Sequence, residues 1–484
     1  MTARVAVVDV GSNSVRLVVF DGMSRAPAYF YNEKVLCGLG IGLADSGLLN
    51  PAGRVRAMAA LHRFAALVQG MDATLSGVAT AAVREARDGP EFVAQVARET
   101  GLTLHVATGK QEAALSAKGI LLGWPDAHGL VCDIGGASME LARLTNGRIG
   151  AAQTSPLGPL KLADYQGDLD RYITTEVRTL AKSVGGKADR LFLVGGAWRA
   201  LARLDMARRN YPFHVLHEYR LTPQDLTATI DWVHDQNLDA LTSHTNTSRE
   251  RMTLVPMAAR VLARLLKELG PPEIVLSSYG LREGMFYEQM PDALRRLDPL
   301  IEASRSIEAA MARFPGFGQV LYEWLRPLYP DADAAERRLM LAACLLHDTS
   351  WQAHPDYRSE MCFESITRAN LGGVDHPSRL FLGVAILNRY KNAGHSALQT
   401  PVEELLPANR IKAAITLGKA MRLGAMISGA QISLLEGASL QRQDDHLILT
   451  LSKTAVALNG EIVEKRLTAL ARQMELQAVL RVTD

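Results

Sequence analysis

The chain has 484 residues, 48% hydrophobic and 21% charged, an ordinary globular balance with length for two to four domains. Its 53 Lys and Arg against 51 Asp and Glu leave no global basic excess to mark a nucleic-acid binder, so a polyanionic ligand would need a local basic lining. No run reaches the ~18 uncharged apolar residues of a membrane span, nothing resembles a signal peptide, and Cys37, Cys132, Cys344 and Cys362 lack Cys-x-x-Cys spacing; a cytoplasmic protein with reduced core thiols is expected.

An apolar strand over 5–10, the turn Gly11-Ser12-Asn13-Ser14 and a second strand over 15–20 open the chain. Helical periodicity covers 52–69 and a strand follows over 74–79. Then come the segment Thr80-Ala81-Ala82-Val83-Arg84-Glu85-Ala86, a helix over 90–99 and a strand over 102–106. The next helix, 110–122, has Thr108 as its N-cap. The pattern then repeats, with strands at 130–133, 138–144 and 191–194 and Gly195-Gly196 opening a helix. A long helix is predicted over 248–269, and a strand over 274–277 leads into Gly280-Leu281-Arg282-Glu283-Gly284. From 297 onward helical patterns dominate until a strand at 446–451. The expected domains are therefore 1–123, 124–296 and 297–484.

Two segments use one device. Asp9-Val10-Gly11-Ser12-Asn13-Ser14 and Asp133-Ile134-Gly135-Gly136-Ala137-Ser138 each end an apolar strand in Asp-x-Gly, turn through small residues and enter a second strand. Such turns leave backbone N–H groups free for a phosphate, and the Asp can hold a metal ion or its water beside it. Two of them suggest duplicated lobes facing each other across a phosphate-binding cleft.

Six segments in this order resemble the exopolyphosphatase / guanosine pentaphosphate phosphohydrolase (Ppx/GppA) family: the first turn, Thr80-x3-Arg84-x-Ala86, Gly109-x2-Glu112-Ala113, the run from Asp133 to Glu140, Gly195-Gly196 and Gly280 to Gly284. The resemblance spans about residues 5–290 and implies an α/β fold of two actin-like (ribonuclease H-like) lobes, followed by a helical, degenerate HD-like domain. It also implies hydrolysis of phosphoanhydrides with Mg2+, with a monovalent cation such as K+ beside it, and a homodimer.

Hydrolysis of a phosphoanhydride needs a positioned water, a base, and cations or N–H dipoles to absorb charge. Glu112, in the first turn of its helix, matches the family's catalytic glutamate; without the resemblance it reads equally as a residue favouring the helix dipole. The preceding position, often Glu in the family, is Gln111. Arg84 is expected to clamp a phosphate, the alternative being a surface arginine paired with Glu85 or Asp88. Gly11, Ser12, Asn13, Ser14, Gly135, Gly136, Ala137, Ser138, Gly195 and Gly196 are the expected phosphate-binding positions. Asp133, Glu140 and Asp9 are the expected Mg2+ ligands. Ala137 replaces the family's third glycine, so its turn must use a negative φ there or accept strain. Arg282 and Glu283 are expected either to touch substrate or to pair structurally, and Arg251-Met252-Thr253 stands where the family has Arg-Ala-Asp.

His347-Asp348 resembles the signature of HD metal phosphohydrolases, but no histidine lies between 297 and 346, so a hydrogen-bonded helix-packing role is expected. Arg389, Lys391, Lys412, Lys419 and Arg422 could line a polyphosphate channel or form solvated helix faces. No aromatic interleaving suggests base stacking, so nucleic acid is not an expected partner. The expected function is Mg2+-dependent release of terminal phosphate from inorganic polyphosphate, with guanosine pentaphosphate as the alternative substrate. From other classes, an actin-like sugar kinase or a nucleotide-switched binding protein would need an adenosine pocket.

Overall fold

Strand β1 (Arg4–Val10) buries Val5 and Val7 on one face and Ala6, Val8 and Val10 on the other, so it belongs inside a sheet covered on both sides. The computed structural model, which describes residues 3–245, 247–390 and 399–483, places it there. β2 (Ser14–Phe20) and β3 (Tyr29–Leu36) continue antiparallel on one side; β4 (Ala73–Ala79) and β5 (Leu104–Val106) continue parallel on the other, in the order β3-β2-β1-β4-β5. The second sheet uses β6 (Gly129–Ile134), β7 (Met139–Thr145), β8 (Arg148–Ser155), β9 (Arg190–Val194), β10 (Arg220–Leu221) and β11 (Glu273–Leu276), ordered β10-β11-β9-β6-β7-β8. Without β10, the order β8-β7-β6-β9-β11 repeats the first sheet strand for strand, with the same parallel and antiparallel pairings.

Helix Pro51–Gly70 covers one face of the first sheet through Ala57, Leu61, Phe64 and Val68. Helices Leu169–Ser183, Gly196–Arg208 and Val255–Leu269 cover one face of the second. The other two faces exchange their helices. Gly109–Gly123 was expected to belong to the first lobe, yet its Ala113, Ala117, Ile120 and Leu121 pack on Val131, Ala142 and Leu144 of the second sheet. Leu281–Gln289 follows the second sheet in sequence and packs Met285 and Phe286 against Val5, Val7, Val18 and Phe20 of the first.

These two helices meet backbone to backbone. A Cβ on Gly284 would lie 1.7 Å from the Leu115 carbonyl oxygen, and one on Gly119 would lie 2.2 Å from the Gly280 carbonyl oxygen. Thr108 caps Gly109–Gly123 as expected, and Gln111 completes a capping box: its Oε1 accepts from the Thr108 N–H at 2.8 Å while Thr108 Oγ1 accepts from the Gln111 N–H at 3.3 Å.

The chain divides between Leu297 and Asp298, where helical patterns were expected to begin. The second unit contains helices Pro299–Met311, Phe317–Leu325, Ala334–Leu346, Arg358–Arg368, His376–Tyr390, Ala408–Ser428 and Glu461–Gln473. Its strand at the expected place, β13 (His446–Ser452), sits between two unforeseen ones, β12 (Ala438–Gln443) and β14 (Gln477–Thr483), whose mostly exposed side chains give no strong apolar pattern. The helix expected over 248–269 is two, Arg249–Met252 and Val255–Leu269. Pro256 explains the break, since its ring excludes the carbonyl four residues back, that of Met252. No described helix is long and apolar enough to cross a membrane.

The glycine crossing has a direct test. Gly284→Ala should destabilise the first unit by about 1–3 kcal/mol or more, because a helix must move. Gly70→Ala, which meets nothing within 4 Å, should be neutral or slightly stabilising. Chemical denaturation compares the two, and a wild-type midpoint for Gly284→Ala would show that the crossing is not tight.

Candidate active site

Both hairpins of the duplicated device open onto one cavity of about 210 Å³. In each, the register sets the residue seven positions after the strand-end Asp directly opposite it: Arg16 faces Asp9, and Glu140 faces Asp133. The turns also match, with the Gly11 N–H donating to the Ser14 carbonyl at 3.0 Å and the Gly135 N–H to the Ser138 carbonyl at 2.9 Å. Donors behind the loops occupy their carbonyls: Cys37 and Gly38 bond Asn13, Gly40 bonds Ser12, and Leu160 bonds Gly136. The N–H edges of these cavity-lining turns are left for an oxyanion.

Neither Gly11, Gly135, Gly136 nor Ala137 has a positive φ, so alanine is accommodated in the second turn without strain. Glycine is required at Gly195, whose φ is 115° and whose Cβ would lie 2.6 Å from the Ile134 carbonyl oxygen. Ser12, Asn13, Ser14, Ser138 and Gly196 join these residues around the cavity.

Helix Gly109–Gly123 presents Glu112 and, one turn on, Ser116 to the same space. Ser116 Oγ donates to Asp133 Oδ2, and Glu112 is ion-paired with Arg84. Arg84, the expected phosphate clamp, also donates to the Ala107 carbonyl at 2.7 Å and is not among the residues lining the cavity; its guanidinium is turned to Glu112, where it can position that carboxylate. Burial pushes Glu112 up to about 7, opposed by its bond to Arg84. Burial, then Glu112 and Asp133, hold Glu140 well above the usual carboxylate range, and its Oε1 accepts from Thr154 Oγ1 at 2.9 Å. Burial also raises Asp9 and Asp133.

Five cations share the cavity: Arg16, Lys34, Arg199, Arg251 and Arg282. Burial pulls Arg16 and Arg199 down to about 10 and Lys34 down to about 8, and nearby guanidinium groups deepen each shift. Arg282 is raised instead, because Glu283, Asp9 and Tyr29 outweigh its burial. Sequence reasoning missed Arg16, Lys34 and Arg199. The seven-residue spacing from Asp9 across a tight hairpin was the available signal for Arg16. Glu283 accepts from the Tyr29 hydroxyl at 2.9 Å and the Gly280 N–H at 2.8 Å, so its role is structural. Thr253 Oγ1 donates to the Glu250 carbonyl at 2.9 Å, while its neighbour Arg251 lines the cavity.

The family's magnesium poses a question of fit. Among the described residues no group of three His, Cys, Asp or Glu side chains converges to hold a metal ion, so Asp9, Asp133 and Glu140 do not form a closed ligand set. Asp9 and Asp133, buried carboxylates ending equivalent strands, with Asp9 adding to the burial that raises Asp133, suit an ion held by one or two carboxylates together with substrate phosphates.

The expected channel residues of the second unit are not a row of solvated cations. Arg389 is only 7% exposed. Lys419 Nζ donates to Gln473 Oε1 at 2.7 Å, Lys412 Nζ pairs with Glu475 at 2.5 Å, and burial pulls Arg422 down to about 10. Lys391 lies outside the described residues. His347 and Asp348 are both 1% exposed and bond to other groups, Cys344 and Arg313, in the helix packing.

The duplicated fold with its phosphate-handling cleft defines a class, and sequence comparison narrows it. A sequence model described as the Ppx/GppA phosphatase family matches residues 3–293, and one described as exopolyphosphatase, C-terminal, matches 300–480. The chain belongs to the Ppx/GppA phosphatase family and is a hydrolase. Exopolyphosphatase 1 of Mycobacterium leprae is 25% identical over 325 residues, 64% of this chain and 94% of the relative. Exopolyphosphatase 1 of Mycobacterium tuberculosis is 25% identical over 324 residues, 63% of this chain and 92% of the relative. In fold the chain is similar to the crystal structure of an exopolyphosphatase from Cytophaga hutchinsonii, with TM-score 0.54 and 21% identity over 60% of this chain and 99% of that one. It is also similar to the Aquifex aeolicus Ppx/GppA family member, with TM-score 0.52 and 22% identity over 59% of this chain and 97% of that one. The two-lobed actin-like α/β fold is therefore the fold of this chain.

If Glu112 acts as a carboxylate, kcat/KM should fall about tenfold per pH unit below about 7. Arg84 favours the ionised form, so Arg84→Met should move that limb to higher pH. Loss of activity with an unmoved limb would remove Arg84 from the positioning role.

Proposed function

We propose that the chain is an exopolyphosphatase, releasing orthophosphate from the end of inorganic polyphosphate. The observation that carries this reading is the cavity's composition: a buried carboxylate poised near neutrality, two N–H-rich turns and five cations. The cations line the cavity beside Asp9, Glu112, Asp133, Glu140 and Glu250, and a chain of phosphates would engage more of them than a single terminal phosphate does. The described residues lining the cavity include no aromatic ring, which favours an inorganic chain over guanosine pentaphosphate or an adenine nucleotide.

Glu112 orients a water toward the terminal phosphorus and accepts its proton as the bond forms. The turn N–H groups around Ser12, Asn13, Gly136 and Ala137 hold the transferring phosphoryl oxygens. Arg16, Arg199, Arg251, Arg282 and Lys34 balance the charge of the following phosphates, including the departing one. Glu140, favoured in its protonated form beside Glu112, leaves Glu112 the ionised member of the pair. Asp9 and Asp133 are the residues that would hold Mg2+, which supplies charge neutralisation on the phosphates when bound.

Glu112→Gln keeps shape and removes the base, so turnover of polyphosphate should fall on the order of 100-fold or more with little change in binding. Wild-type turnover in that variant would exclude Glu112 from the mechanism. Wild-type kcat/KM should be higher for polyphosphate than for guanosine pentaphosphate, and the reverse order would assign the nucleotide as substrate.

A further inference from the structure

Of the two strand-end carboxylates suited to a cation, only one is held in a fixed orientation. Ser116 Oγ donates to Asp133 Oδ2, and no hydrogen bond from a described residue reaches Oδ1. Oδ1 is not sealed in the packing either, so it is the oxygen left open. Asp133, Ser116 and Gly195 all line the cavity. A Cβ on Gly195 would lie 3.1 Å from Oδ1, so the glycine keeps that side of the carboxylate clear. Asp9 has no such anchor among the described residues, and Arg282 and Arg16 act on it through charge.

The register explains the difference. Across the first hairpin Asp9 faces Arg16, a cation that offsets its charge. Across the second Asp133 faces Glu140, whose Oε1 is already taken by Thr154 Oγ1 at 2.9 Å. Asp133 therefore has no cross-strand cation, and its anchor is a hydroxyl, which gives one proton and carries no charge. Such a donor orients a carboxylate without cancelling the charge that attracts an ion. Ser116 is buried in helix Gly109–Gly123, four residues after Glu112 and so on the same helix face. The close crossing at Gly119 and Gly284 fixes where that face stands.

We propose that Ser116 is a positioning residue for the cation: its hydroxyl holds Asp133 Oδ2 and leaves Oδ1 for the ion. Without the hydroxyl the carboxylate is free to turn, and binding an ion must then fix it at a cost in entropy. One rigid helix thus places both the base and the carboxylate that meets the ion. The inference rests on Asp133 as an Mg2+ residue, and not on which phosphoanhydride is hydrolysed.

Binding of Mn2+, a paramagnetic substitute for Mg2+, tests this without turnover. Electron paramagnetic resonance on the full chain reads the free ion, with and without orthophosphate. Ser116→Ala should raise the Mn2+ dissociation constant about tenfold or more, the usual cost of losing an outer contact to a metal ligand. Its melting temperature should stay near wild type, because alanine suits a helix interior. Ser116→Thr keeps the hydroxyl and should restore most of the affinity. Asp133→Ala should weaken binding at least as much, and adding Ser116→Ala to it should cost nothing further. That double variant carries the test if Ser116→Thr does not fold. Wild-type affinity in Ser116→Ala, or additive losses in the double variant, would overturn the positioning role and leave Asp133 as the metal residue. Wild-type affinity in Asp133→Ala would overturn the metal reading itself, and the role of Ser116 with it.

Discussion

The crossing of helices Gly109–Gly123 and Leu281–Gln289 is the constraint on which the catalytic unit depends. Each helix belongs by sequence to one sheet and packs on the other, so neither sheet has a complete core alone. Glycines at 119 and 284 let the two backbones touch, and no side chain could be inserted at either without separating them. The same helices carry Glu112, Ser116 and Arg282 into the cavity. Tight packing therefore sets the distance between the base and the phosphate-binding turns, and the exchange of helices links lobe position to the chemistry.

The electrostatics of the cavity follow from duplication with divergence. One hairpin pairs its strand-end Asp with an arginine, the other with a glutamate. In the first hairpin Arg16, after Arg282, opposes the rise that burial imposes on Asp9, whereas in the second Asp133, after Glu112, adds to the rise of Glu140. Arg84 keeps Glu112 from being driven fully neutral by burial. Arg16, Lys34 and Arg199 are destabilised as cations by burial first and by neighbouring guanidinium groups next, so an anion entering the cavity would relieve them.

Local patterns made much of this legible in the sequence. The Asp-x-Gly turns, the Thr108 cap and the division at 297 are written in contiguous residues and appear where expected. What the sequence hid was long-range. Nothing local says that helix Gly109–Gly123 packs on strands that follow it, or that the Arg84 guanidinium pairs with Glu112. Arg16, Lys34 and Arg199 sit on a strand, an edge strand and a helix, ordinary places for solvated charge, and only the fold gathers them. Arg389 failed in the other direction, because a terminal-turn arginine that reads as exposed is enclosed by neighbouring helices.

The account turns on Glu112 acting through water and not as a nucleophile. The stereochemical course of hydrolysis at a terminal phosphorus made chiral with sulfur and oxygen isotopes decides this most directly. The account predicts inversion, the outcome of a single in-line displacement by water. Retention, the outcome of two successive displacements, would mean a covalent phospho-enzyme and would contradict it.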